Sequence, residues 1–60
     1  MPRNLYSVSP GERPVLVRED VQLTENVIFI DGEIHDPFAL VVAESEGRAY
    51  EIGAPLFMFD

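Results

Sequence analysis

The run Val27-Ile28-Phe29-Ile30 meets Asp31-Gly32 and then alternates through Glu33-Ile34-His35. A β-branched and aromatic run that ends on Asp-Gly is the strongest local constraint in this chain. Both residues tolerate the positive φ of a two-residue type I′ turn, whose twist matches that of the strands it joins. A turn at Asp31-Gly32 predicts that Ile30 faces Glu33, Phe29 faces Ile34 and Ile28 faces His35 across an antiparallel ladder. Phe29 and Ile34 then share the core face. The same reading implies that Gly32→Val disrupts folding, because a β-branched residue resists positive φ.

Strand and turn signals fill the rest of the chain. Residues 4–9 read as a first strand, with Tyr6 and Val8 on one face and Leu5 and Ser7 on the other. Two prolines and a glycine make Ser9-Pro10-Gly11-Glu12-Arg13-Pro14 a loop. Val15-Leu16-Val17-Arg18 is β-rich, Glu19-Asp20 interrupts it, and Val21-Gln22-Leu23-Thr24-Glu25 alternates as a half-buried strand does. A single helical turn across 18–25 competes with that strand, but Val and Thr disfavour it. Asp36-Pro37 marks a bend or bulge. Phe38-Ala39-Leu40-Val41-Val42-Ala43 is apolar without alternation, which fits a strand buried on both faces, or one with a face on the core and a face in an interface.

Glu44-Ser45-Glu46-Gly47-Arg48 reads as a second turn, with Gly47 at its positive-φ position, and Ala49-Tyr50-Glu51-Ile52 as the returning strand. Gly53-Ala54-Pro55 breaks that strand before Leu56-Phe57-Met58-Phe59. Strands punctuated roughly every eight to twelve residues, with no convincing helix, predict an all-β fold. The expected architecture is a small five- to six-stranded antiparallel barrel or sandwich built on hairpins, as one domain over residues 1–60. The predicted core is Leu5, Val8, Val17, Val27, Phe29, Ile34, Leu40, Val42, Tyr50, Ile52 and Phe57.

Composition narrows the functional classes. A domain of 60 residues is marginal alone, because it buries only about 60% of the surface its unfolded chain exposes. No cysteine is present, which removes disulfides and thiolate metal sites, and a single histidine is a poor start for a metal cage. Homo-oligomerisation is the remaining way to add buried surface, and 47% hydrophobic residues can supply both a core and an interface. The net charge of −7 comes from eleven acidic residues against four arginines (Arg3, Arg13, Arg18 and Arg48) with no lysine. Such a chain repels phosphate backbones and anionic membrane surfaces, so neither nucleic acid nor membrane is an expected direct partner. With no secretory signal and no apolar run near the roughly 18 residues of a membrane span, a soluble cytoplasmic protein is expected.

No motif carries a specific chemistry. Asp31, Glu33, His35 and Asp36 are of metal-ligating type, but the turn accounts for Asp31 and a solvent face for Glu33, and further ligands would have to come from distant positions. Ser7, Ser9, Ser45, Thr24 and His35 supply nucleophile and base types outside any recognisable catalytic context, and the glycines are scattered turn residues rather than a phosphate loop. No catalytic residue, metal or cofactor is therefore assigned, and an enzyme is not expected. Aromatic residues and methionine are enriched at interfaces, which makes Phe38, Leu56, Phe57, Met58 and Phe59 the candidate contact residues, while Phe57, Met58 and Phe59 read equally as a last strand closing the chain's own barrel. The leading expectation is a non-enzymatic structural or protein-interaction module that homo-oligomerises or docks on a larger assembly. The alternative is a small acidic inhibitor or anti-factor of the nucleic-acid-mimic type, using Glu12, Glu19, Asp20, Glu25, Glu44, Glu46 and Glu51 to block a basic surface on a target protein.

Overall fold

Four antiparallel strands form one open sheet in the computed structural model, which describes residues 2–57. The strands are β1 (Arg3–Val8), β2 (Val15–Val21), β3 (Val27–Asp31) and β4 (Phe38–Ala43), followed by helix α1 (Glu46–Gly53) and a 3-10 turn at Ala54–Phe57. The spatial order is β2-β1-β4-β3. The sheet is not closed and α1 lies on one of its faces, so the fold is mostly β but is not a barrel or sandwich of five to six strands.

The core is built from small residues. Tyr6, Val8, Ala39, Val41, Ala43 and Ala49 form the buried cluster, with Val27, Ile52, Leu56 and Phe57 packed against it. Val8 and Val42 were expected inside and are buried, and Val27, Ile52 and Phe57 are partly buried. Val17, Phe29, Ile34 and Tyr50 were expected inside and are exposed, Ile34 by 92%. Helix and sheet approach closely where Gly53 meets Val8: a Cβ on Gly53 would lie 2.7 Å from Val8 Cγ1. A larger residue there would lift the helix off the sheet.

The tight turn at Asp31-Gly32 does not form. Strand β3 pairs with β4 (Phe29 opposite Leu40, Ile30 opposite Ala39, Asp31 opposite Phe38), and residues 32–37 make a longer connection. Two interactions favour this outcome. The Asp31 carboxylate accepts the Glu33 N–H at 3.1 Å, a side-chain turn that steers the chain out of the ladder. The apolar run of β4 is also a better partner for β3 than the polar segment Glu33-Ile34-His35 would be. Gly32 does not have positive φ, and a Cβ there would meet nothing.

The second predicted hairpin is replaced by α1. Ser45 caps the helix: its backbone is extended (φ −150, ψ 163) and its hydroxyl accepts the Arg48 N–H at 3.2 Å. Glu46 in the first turn complements the helix dipole, and Ala49 and Gly53 lie on the buried side. Leu56 and Phe57 belong to the 3-10 turn rather than to a last strand.

Strand β2 runs through Glu19-Asp20 instead of breaking there, and ends at Val21, so the alternating segment 22–25 is loop. Two register shifts against β1 absorb the extra residues, and Asp20 takes positive φ (53°) with its N–H donating to Asn4 Oδ1 at 3.0 Å.

Residues 22–26 carry the chain from one edge of the sheet to the other, past the ends of β1 and β4. Arg3 ties this crossing down. Its guanidinium donates to Leu23 O (2.6 Å), Asn26 Oδ1 (2.7 Å), Val42 O (3.1 Å) and Glu25 O (3.5 Å), while Val42 N–H donates to Asn26 O at 2.8 Å.

Three substitutions test this account by urea denaturation. Arg3→Met is expected to cost about 1.5 to 3 kcal/mol, the scale of hydrogen bonds from a charged donor, with Arg3→Lys intermediate because the planar fork is lost. Gly53→Ala, which in a free helix stabilises, is expected here to cost about 1 to 3 kcal/mol through overpacking, partly relieved in a Val8→Ala background. Gly32→Val is expected to leave the denaturation midpoint nearly unchanged, within about 0.5 kcal/mol, and a large loss would restore the tight turn.

Candidate interaction surface

Residues opposite one another in an antiparallel ladder share a face, and neighbours along a strand alternate. The registers therefore divide the sheet. Tyr6, Val8, Ala39, Val41 and Ala43 lie under α1, whereas Leu5, Val15, Phe29, Phe38, Leu40 and Val42 lie on the opposite, uncovered face. On that face Val42 is fully buried among its neighbours, Leu5, Phe38 and Leu40 are half-buried, and Phe29 and Val15 are 49% and 63% exposed. The rings of Phe29 and Phe38 pack with centroids 5.7 Å apart and planes tilted by 42°.

Charged residues reach this face at two strand positions and at its Ser7–Phe38 end, where Glu12 and Asp36 line a cleft with those two residues. Arg18 stands opposite Leu5 and Asp31 opposite Phe38, while the guanidinium of Arg3 is held by the crossing loop. The carboxylates considered for mimicry are all exposed, but they are spread over the first loop (Glu12), β2 (Glu19, Asp20), the crossing (Glu25) and the surroundings of α1 (Glu44, Glu46, Glu51). Arg13 approaches Glu46 at 3.9 Å and Arg48 pairs with Glu51 at 3.3 Å, both in solvent, where such pairs contribute little to stability.

The two edges differ. On β2, Val15, Leu16 and Val17 are exposed, but Arg18-Glu19-Asp20 follows and the strand carries two register shifts. On β3, Ile28, Phe29 and Ile30 are 39%, 49% and 51% exposed, with one register shift at Ile28 and regular pairing from Phe29 to Asp31.

Of the predicted contact residues, Phe38 lies on the uncovered face, half-buried, whereas Leu56 and Phe57 pack against the core cluster under α1. Met58 and Phe59 lie outside the described residues. The surface-forming residues that sequence reasoning missed are Ile28, Phe29, Ile30, Val15 and Leu16. Of these only Phe29 was expected in the core, and only the strand order places all five at edges.

The chemistry-bearing residues meet only loosely. Ser7, Ser9, Glu12, His35 and Asp36 line one open cleft of about 470 Å³ together with Phe38. A second open cleft of about 540 Å³ lies between the first loop and α1, at Arg13, Pro14, Gly47 and Tyr50. Ser45 is used as the helix cap, Asp31 holds the Glu33 N–H, and Thr24 donates to Glu25 Oε2 at 3.5 Å. Among the described residues no three His, Asp or Glu side chains converge as metal ligands, and no helix is long and apolar enough to cross a membrane. No protein-family model, curated protein or solved structure matches this chain.

Proposed function

We propose that this chain is a non-enzymatic protein-interaction module that associates through the uncovered face of its sheet, by homo-oligomerising or by docking on a larger assembly. The observation that carries this reading is the apolar strip Val15, Leu5, Leu40, Phe38 and Phe29, which runs across all four strands opposite the helix with few charges in it. An apolar strip of this kind on a chain of net charge −7 is suited to contact rather than to solvent.

Size sets the expected strength. Four strands spaced about 4.8 Å apart and roughly five residues long project a face of roughly 300 Å². A standard stable interface buries about 800 Å² per partner. Association through this face alone therefore belongs to the weak, reversible class.

Sedimentation equilibrium from low-micromolar to submillimolar protein tests the self-association arm. Wild type is expected to gain mass with concentration, and Val15→Glu, a change at an exposed position, to remain monomeric with an unchanged circular dichroism spectrum. Concentration-independent monomer for both would remove self-association. Equal gain by both would remove the uncovered face as its site.

A further inference from the structure

The two charged strand positions of the uncovered face lie at diagonally opposite corners. Arg18 stands on edge strand β2 in the row of Leu5 and Val42, and Asp31 on edge strand β3 in the row of Phe38. Three strand spacings, about 14 Å, separate them across the sheet, and four residues, about 13 Å, separate them along β4. They cannot pair within one molecule. Neither forms an ion pair among the described residues, and Asp31 engages one carboxylate oxygen with the Glu33 N–H.

A second copy supplies what each lacks. Two identical sheets packed face to face are related by a two-fold axis lying between them. An axis along the strands keeps each residue's height, and an axis across the strands keeps it over its own strand, so neither brings Arg18 over Asp31. An axis along the other diagonal exchanges the two corners and forms two Arg18–Asp31 pairs at once. Because the separation is nearly equal in both directions, the two sets of strands then cross at about 90°, the orthogonal class of sheet packing. Leu5, Leu40, Phe29 and Phe38 lie around the centre of such a contact.

The twist of the sheet favours the same arrangement. Val42 faces outward and directs its N–H to Asn26 O and its C=O to Arg3, on the β3 side, which for an L-residue fixes the hand of the sheet. Right-handed strand twist then curls the Arg18 and Asp31 corners towards a copy on this face and the other two corners away. Those other corners hold the charges that would face their own kind: Glu12 near the Val15 corner, and Glu25 with Arg3 at the start of β3. Glu19 and Asp20 stand together opposite Asn4, whose side chain bonds Tyr6 on the helix side. Asp36, at the Ser7–Phe38 end, falls towards the strand of the second copy that carries Arg18.

We propose, taking the uncovered face as a contact surface, that its occupant is a second copy of this chain, docked about a diagonal two-fold that pairs Arg18 of each molecule with Asp31 of the other.

Sedimentation equilibrium of the full chain tests this at physiological salt, where exposed charges farther apart than about 8 Å are screened. Arg18→Asp and Asp31→Arg are each expected to weaken self-association about tenfold, since each turns two attractive pairs into two repulsive ones. Asp31→Arg is the sharper of the two. It removes two negative charges from every molecule, so general repulsion between copies of net charge −7 predicts the opposite sign. An equimolar mixture of the two variants restores both pairs in a heterodimer and is expected to recover the wild-type affinity. Should Asp31→Arg lose its circular dichroism spectrum, Asp31→Asn, which keeps an acceptor for Glu33, has to weaken association in its place. Wild-type affinity in these variants, or a mixture no tighter than its components, would overturn the paired two-fold, and Val15→Glu remaining monomeric beside them would leave the uncovered face standing as the contact. A wild type that is monomeric throughout would overturn the second copy and leave docking on another protein.

Discussion

A sheet ordered β2-β1-β4-β3 has to carry its chain from one edge to the other, and the Arg3 guanidinium ties that crossing down. Backbone carbonyls that pass the end of a sheet have no ladder partner, and here a side chain supplies the donor in place of water. Arg3 opens β1 and reaches two carbonyls and one side-chain amide of the crossing loop, together with the carbonyl of Val42 on β4. With the crossing secured at that end, β1 and β4 become the two inner strands, and the residues they place under α1 become the core. The same arrangement leaves β2 and β3 outermost with their apolar side chains in solvent, so the exposed apolar surface follows from the topology.

Small side chains at the helix–sheet contact are the second constraint. Ala39, Ala43, Ala49 and Gly53 let α1 come down on Val8 and Val41, and the larger apolar residues have to go elsewhere. Phe29, Ile30, Val15 and Leu16 are displaced to the edges and the far face in consequence. Expecting the largest apolar residues inside fails here because the core is thin: one short helix against the middle of one sheet.

The legible parts were those with strong local patterns. Residues 4–9 and Phe38–Ala43 read as strands, with Tyr6 and Val8 on one face, because alternation and a continuous apolar run are local signals. The loop holding Gly11, whose φ is positive, was equally plain from its prolines. The Asp31-Gly32 turn was misread because an aspartate that favours a tight turn also favours a side-chain turn, and only the competing strand at 38–43 decides between them. Helix α1 did leave a signal. Ala49, Gly53 and Leu56 recur at helical spacing behind a Ser45 cap, but Gly47 and the Tyr50–Ile52 alternation argued for a hairpin. At the surface, Phe38 was legible as an apolar residue with a face to spare, whereas the β3 edge was not, because edge position depends on strand order.

The strand order also makes the chain two local hairpins stitched along a single seam, β1 against β4. Neither hairpin holds a core of its own: Tyr6 and Val8 come from the first, Ala39, Val41 and Ala43 from the second, and the helix rests on the pair. The seam joins residues 3–8 to residues 38–43, so its closure waits on the slow loss of freedom in everything between them. On a ribosome this seam closes only after β4 has emerged, so until then the first hairpin lacks the strand that completes its core.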